Sequence, residues 1–196
     1  LEFIRGSYML INNDTIIKDD NPLIRQKSLP VSLPLSEEDS TILKEMLKYV
    51  EDSTDEEIAE RENLRPAVGI SAIQIGIPKQ LTAVVVPTVD KDGNEKTIKY
   101  MLANPRIVSH STQKAYLQSG EGCLSVVEDH PGFVVRSARV TIEGFDLITN
   151  QNIKIRARGY LAIVLQHELD HFSGTLFYDK INAKEPFKEI EGALVI

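Results

Sequence analysis

Gln166-His167-Glu168-Leu169-Asp170-His171 is the stretch on which the fold and chemistry of this chain turn. The mostly apolar run Tyr160-Leu161-Ala162-Ile163-Val164-Leu165 precedes it, with no Pro or Gly after Gly159. Such a run predicts a buried helix from Gly159 to Phe172, stopped by Gly174. Residues four apart share a helix face, so His167 and His171 present two imidazoles side by side. Glu168 lies one step round and can serve a water without being a metal ligand. This HExxH spacing is that of zinc-type hydrolases. The competing reading is a helix end with two solvated histidines and ordinary surface acids.

A catalytic metal of this kind takes three protein ligands and keeps its fourth position open. Continuing the helix pattern through His171-Phe172-Ser173-Gly174 puts Phe177 where a third histidine would stand, so that class fails. Glu189 and Glu191 are carboxylate candidates, but they lie in a short tail after Pro186 with little chain to support them. The remaining source is the only cysteine, Cys123, within Gln118-Ser119-Gly120-Glu121-Gly122-Cys123-Leu124-Ser125. A lone cysteine is most often a small buried hydrophobe. Here Gly120 and Gly122 bracket it and let the backbone approach a ligand closely. A thiolate with two imidazoles suits zinc, iron or cobalt better than magnesium or calcium.

Glu121-Gly122-Cys123-Leu124-Ser125 and Gln166-His167-Glu168-Leu169-Asp170-His171 resemble two of the three signature motifs of peptide deformylases. The first motif of that family, a Gly-rich segment ending in Gln, is similar to Ala67-Val68-Gly69-Ile70-Ser71-Ala72-Ile73-Gln74. Ala67 stands where the family usually has Gly, and Ser71 where it usually has Ala. The motifs occur in family order, and the resemblance runs from about Ile16 to the C-terminus, as in the longer bacterial forms. It implies an α+β fold, with antiparallel β-sheets packed around a buried helix that carries HExxH. It also implies a divalent metal on Cys123, His167 and His171, Fe(II) in the cell, with Zn, Ni or Co able to substitute. Glu168 then moves the proton, while the Gln74 side-chain amide and the Leu124 N–H stabilise the oxyanion. The implied substrate is a nascent peptide that begins with N-formylmethionine, and the product is formate. It would dock as a strand between Val68, Gly69 and Ile70 on one side and Glu121 and Gly122 on the other. Tyr160, Ile163 and Val164 would line the methionine pocket. Glu121 would pair with Arg136, and Asp170 would orient a ligand histidine. Two other classes compete: an endopeptidase with a glutamate third ligand, and an inactive module that keeps only the peptide groove.

The 196 residues suffice for one well-packed domain, here 9–196 as a single catalytic domain. Residues 1–8 look like a vector-derived leader before Met9. The formal net charge of −7 and the scattered basic residues argue against direct nucleic-acid binding. One cysteine excludes an intrachain disulfide and suits a reducing cytoplasm. No apolar stretch approaches a membrane span. A monomer with only a transient ribosome contact is expected. Ser36 caps a helix carrying Ile42, Leu43, Met46, Leu47 and Val50, to about Glu51, and 51–65 is an exposed loop or solvated helical insertion. Strands are expected at 81–89, 98–102, 106–110, 133–145 and 151–158, with an apolar final strand at the C-terminus. His110 and His130 read as ordinary loop or surface histidines.

Overall fold

In the computed structural model, which describes residues 9–196, helix α1 (Glu37–Ser53) begins where the sequence puts it. The Ser36 hydroxyl accepts from the Asp39 N–H at 3.0 Å, and Glu37, Glu38 and Asp39 face the positive end of the helix dipole. Its apolar stripe, Ile42, Leu43, Met46 and Val50, is fully buried. The acidic stretch that follows is a solvated helix, α2 (Glu56–Glu62), with no buried residue. The Asp55 side chain caps it and Asn63, in the left-handed region at φ 57°, ends it.

Strands β1 (Gly69–Ser71), β2 (Leu81–Val89) and β3 (Glu95–His110) open an antiparallel sheet. β3 is one continuous strand where two shorter ones were expected. Asn104 adopts φ 52° beside Pro105, and the pairing register shifts there as a bulge instead of ending the strand. The Asn104 amide both donates to and accepts from the Val31 backbone at 2.8 Å, which holds the kink. At the β2–β3 turn the Asp90 carboxylate accepts from the N–H groups of Asp92 and Asn94.

The stretch read as one strand from 133 to 145 divides between two sheets. Strand β4 (Lys114–Tyr116) pairs with β5 (Arg136–Ser137), whereas β6 (Arg139–Asp146) joins the large sheet beside β3 and pairs with β7 (Gln151–Arg158). The large sheet runs β1-β2-β3-β6-β7. Helix α3 (Gly159–Asp170) follows β7 directly, and its last turn tightens into a 3-10 turn, His171–Ser173. The expected C-terminal strand is β8 (Leu194–Val195), parallel to β4.

The result is a mixed α and β domain with an antiparallel sheet between two apolar layers. On one side α1 packs its stripe with Ile70, Leu81 and Ala83; on the other Val84, Leu102 and Ile142 pack with Ala162, Val164 and Leu165 of α3. Each such Leu or Ile contributes roughly 1.5–3 kcal/mol on burial. Among the described residues no helix is long and apolar enough to cross a membrane. The expected leader at 1–8 lies outside the described residues.

Gly174 ends the motif helix at φ 72°, and a Cβ there would fall on the backbone carbonyl of Arg25. Gly174→Ala is therefore expected to destabilise by at least about 2 kcal/mol, combining left-handed strain with a backbone clash. Gly93→Ala, also at positive φ but in open space, is expected to cost only about 1 kcal/mol. Denaturant midpoints of the two variants measure the difference; equal midpoints would show that the Arg25 contact does not constrain this end of α3.

Candidate metal centre and substrate cleft

Helix α3 carries His167 and His171, and the turn Cys123–Val126 brings Cys123 against them. The three residues place one ligand atom each within 4.8 Å of one another. Cys123 Sγ lies 3.6 Å from His171 Nε2. Two ligands bound tetrahedrally at Zn–S of about 2.3 Å and Zn–N of about 2.0–2.1 Å stand about 3.6 Å apart, so this edge fits a zinc-sized ion. The donor set suits zinc-like and iron-like ions, because a thiolate and imidazoles are soft to borderline ligands. Glu189 and Glu191 are exposed in the tail and join no such cluster among the described residues, which removes the carboxylate alternative.

Glu121, on the loop before Cys123, fixes His167. Its Oε1 lies 2.8 Å from His167 Nδ1, which leaves Nε2 as the nitrogen for a ligand. Arg136 of β5 donates to both carboxylate oxygens of Glu121, at 2.8 and 2.9 Å, and to Asp170 at 2.9 Å. The expected Glu121–Arg136 pair is present, but Asp170 does not orient a histidine. Arg136 occupies it, and Glu121 performs that task. Glu121 was also expected to contact substrate; it lines the cleft, yet its side chain is only 4% exposed and its oxygens are engaged. Burial alone would raise the Glu121 pKa, but hydrogen bonds from His167 and Arg136 outweigh it and hold the carboxyl below the ordinary range. His167 is pushed down by burial but raised well above its usual value by Cys123 and Glu121. His171 is held well below it by burial and by the charges of His167 and Arg136.

Glu168 is buried at 4% exposure beside this cluster. The Ser71 hydroxyl donates to its Oε2 at 2.8 Å. Burial raises the Glu168 pKa, with His167 and Ser71 opposing. A Cβ on Gly69 would sit 2.9 Å from Glu168 Oε1, so any side chain there would have to displace the Glu168 carboxylate. Gln74 is locked as well: its Oε1 accepts from the Ser71 N–H at 2.9 Å, and its Nε2 donates to Ser125 Oγ at 3.1 Å and lies 3.5 Å from Cys123 Sγ.

A cleft of about 530 Å³ opens over these groups. It is lined by the expected Val68, Gly69, Gln74, Glu121, Gly122, Cys123, Leu124, Tyr160, Ile163, Val164, His167 and Glu168. Ile70 does not belong to it. Its side chain is fully buried in the α1-facing core, because successive strand residues point to opposite faces. β1 is an edge strand of the sheet. The Val85 N–H donates to Val68 O at 2.8 Å, so the antiparallel alternation turns the N–H and C=O of Gly69 away from β2 toward the open edge. The next outward N–H, that of Ser71, is already taken by Gln74.

Arg65 and Ser71 are functional neighbours that motif reading did not assign. Arg65 closes the charged stretch in sequence, yet its guanidinium donates to the carbonyls of Cys123 and Val126 at 3.0 and 2.9 Å and clamps the cysteine turn. Its only sequence signal is adjacency to the first motif. Ser71 stood out only as a departure from the family pattern. His110 is exposed, as expected of a surface histidine. His130 stacks on Tyr178 at 4.1 Å and lies edge-on to Phe177 at 6.0 Å.

Comparison with known proteins agrees with this geometry. The family model described as polypeptide deformylase matches residues 13–187. A peptide deformylase of Staphylococcus epidermidis is 48% identical over 187 residues, covering 95% of this chain and 100% of that protein. Peptide deformylase 2 of Bacillus subtilis is 45% identical over 187 residues, covering 95% and 99%. Among solved structures, a probable peptide deformylase from synechococcus phage S-SSM7 superposes with a TM-score of 0.64 at 26% identity, covering 85% of this chain and 98% of that one. A match that takes in all three motifs and nearly the whole length places this chain in the polypeptide deformylase family, enzymes that remove the N-formyl group from nascent polypeptides.

Proposed function

We propose that residues 9–196 act as one catalytic unit that hydrolyses the formamide of N-formylmethionine at the start of nascent peptides and releases formate. The observation that carries this reading is the 3.6 Å edge between Cys123 Sγ and His171 Nε2, with His167 completing the set and buried Glu168 beside it. Cys123, His167 and His171 hold one divalent ion, Fe(II) in the cell, for which Zn, Ni or Co can substitute. When bound, such an ion lowers the pKa of a water and polarises the carbonyl. The rest of the chemistry belongs to the chain. Glu168 takes a proton and returns it to the leaving amine; its buried, raised carboxyl makes it a better base than a solvated glutamate. Gln74, whose amide direction is fixed by Ser71 and Ser125, and the Leu124 N–H donate to the developing oxyanion.

The peptide adds as a strand along Gly69, opposite Gly122, through main-chain hydrogen bonds, so residues beyond the first are read loosely. Tyr160, Ile163 and Val164 form the apolar wall that receives the methionine side chain. The helix carrying HExxH, packed between the sheets, keeps these walls rigid. The enzyme works as a monomer in the cytoplasm and contacts the ribosome only transiently.

Glu168→Gln keeps the ligand set intact and removes the proton carrier. It is expected to retain stoichiometric metal while formate release falls by about 10²–10⁴-fold. Near wild-type turnover would remove Glu168 from the reaction, and lost metal would make it structural. Cys123→Ala is expected to lose both metal and activity; a variant that keeps its metal would return the third ligand to another residue.

Acyl selectivity tests the oxyanion donors. Formyl presents only a hydrogen where acetyl presents a methyl, and displacing the carbonyl by about 1 Å from its donors costs roughly 100-fold. N-acetylmethionyl tripeptides should therefore be cleaved at least about 100-fold more slowly than formyl ones. Comparable kcat/KM for the two would contradict the proposed placement of Gln74 and Leu124.

A further inference from the structure

The arginines that look scattered in sequence are gathered by the fold. Antiparallel pairing of β6 with β7 sets Arg139 directly opposite Arg158, and Thr141 opposite Arg156. Side chains alternate along each strand, so all three arginines stand on one face, and all are exposed while Val140, Ile142, Ile155 and Ala157 point into the core. With His110 and Ser109 they line a shallow depression of about 370 Å³ that contains no acidic residue. Among the described residues none of the three arginines has a carboxylate partner. Further along the same two strands the charges are balanced, with Glu143 paired to both Arg106 and Lys154.

Like charges directly opposite across a strand pair destabilise a sheet. Charge on β7 alone would suffice to keep that edge strand from pairing with another chain. Arg139 lies on the inner strand β6 and adds nothing to such protection, yet it stands against Arg158. The chain as a whole carries a formal net charge of −7, so most of its surface repels polyanions and an approaching one is oriented toward this basic face. β7 leads from the patch into α3, and Tyr160, two residues after Arg158, lines the substrate cleft.

We propose that the Arg139–Arg156–Arg158 face is a docking surface for the phosphate backbone of RNA, which holds the cleft near the peptide terminus it serves. Guanidinium groups match phosphate oxygens in pairs and need no base sequence, so the contact is salt-sensitive and sequence-independent. The choice of RNA rests on the reading of the substrate as a nascent chain, because the particle that delivers such chains exposes RNA. Such docking would set aside the expectation, drawn from net charge, that nucleic acid is not contacted directly.

Fluorescence anisotropy with a 5′-fluorescein-labelled RNA hairpin and the full chain tests this without using deformylation. Wild type is expected to bind with log affinity falling against log salt with a slope of roughly −2 to −3, as for about three phosphates. The R139Q/R156Q/R158Q variant is expected to bind about tenfold or more weakly at low salt, with a slope near zero. Formate release from a free formylmethionyl tripeptide should stay at the wild-type rate and shows that the variant is folded. The charge-matched variant K27Q/K91Q/K96Q, altered at exposed lysines elsewhere, should bind as wild type does. Unchanged binding by the arginine variant, equal weakening in the lysine variant, or no wild-type binding would overturn the proposal. Equally tight binding of labelled polyglutamate would reassign the face to an acidic protein. Loss of formate release in wild type with RNA binding intact would instead count against the proposed catalytic reading alone.

Discussion

The site depends on one buried guanidinium. Arg136, with a side chain 2% exposed, grips both oxygens of Glu121 and reaches Asp170, and Glu121 in turn sets the ring of His167. A buried carboxylate without this partner would be an uncompensated charge, and breaking such pairs typically costs about 3–5 kcal/mol. The network also joins three separate pieces of chain: the loop before Cys123, strand β5 and the end of α3. Two of these carry members of the Cys123–His167–His171 cluster, so the ion pair fixes their spacing. His167 and His171 shift in opposite directions: Cys123 and the Glu121 carboxylate raise the first against its burial, whereas burial, with the charges of His167 and Arg136, lowers the second.

A second constraint works through backbone groups. Ser71 sends its N–H to Gln74 and its hydroxyl to Glu168, so one residue ties the first motif to the third. Arg65 ties the approach to the first motif to the cysteine turn of the second. The three motifs are therefore physically cross-linked, and rigid first contacts of this kind are what let donors act without reorganising during the reaction.

Much of this was legible in the sequence because the deciding signals are local. The Ser36 cap, the α1 stripe, β2, β7 and the Gly174 stop all follow from short-range periodicity or capping. The ligand set could be narrowed because Phe177 closed one alternative and a short tail weakened the other. What escaped depends on contacts distant in sequence. β3 runs on through Pro105 because the Asn104 side chain is held by Val31, 73 residues away. The 133–145 segment splits because two sheets compete for it. Asp170 was assigned to a histidine because no spacing rule reveals that Arg136 would take it first, and Ile70 was assigned to the groove although strand alternation sends its side chain to the core. The basic face is visible only once β6 and β7 are in register.

Gly69 places a limit on where the reaction can occur. It offers its backbone along an open strand edge, and its missing side chain is filled by the Glu168 carboxylate. In the proposed function, the surface that aligns a peptide and the group that moves the proton would therefore share one point. A peptide shifted by one residue along this edge would move each bond by about 3.3 Å and turn its side chains to the opposite face. Strand pairing would thus act as a ruler whose zero mark is the glutamate. Under the proposed docking, a peptide in register would bring one carbonyl to that mark, and the amides behind it would be set apart by distance, one strand step of about 3.3 Å after another.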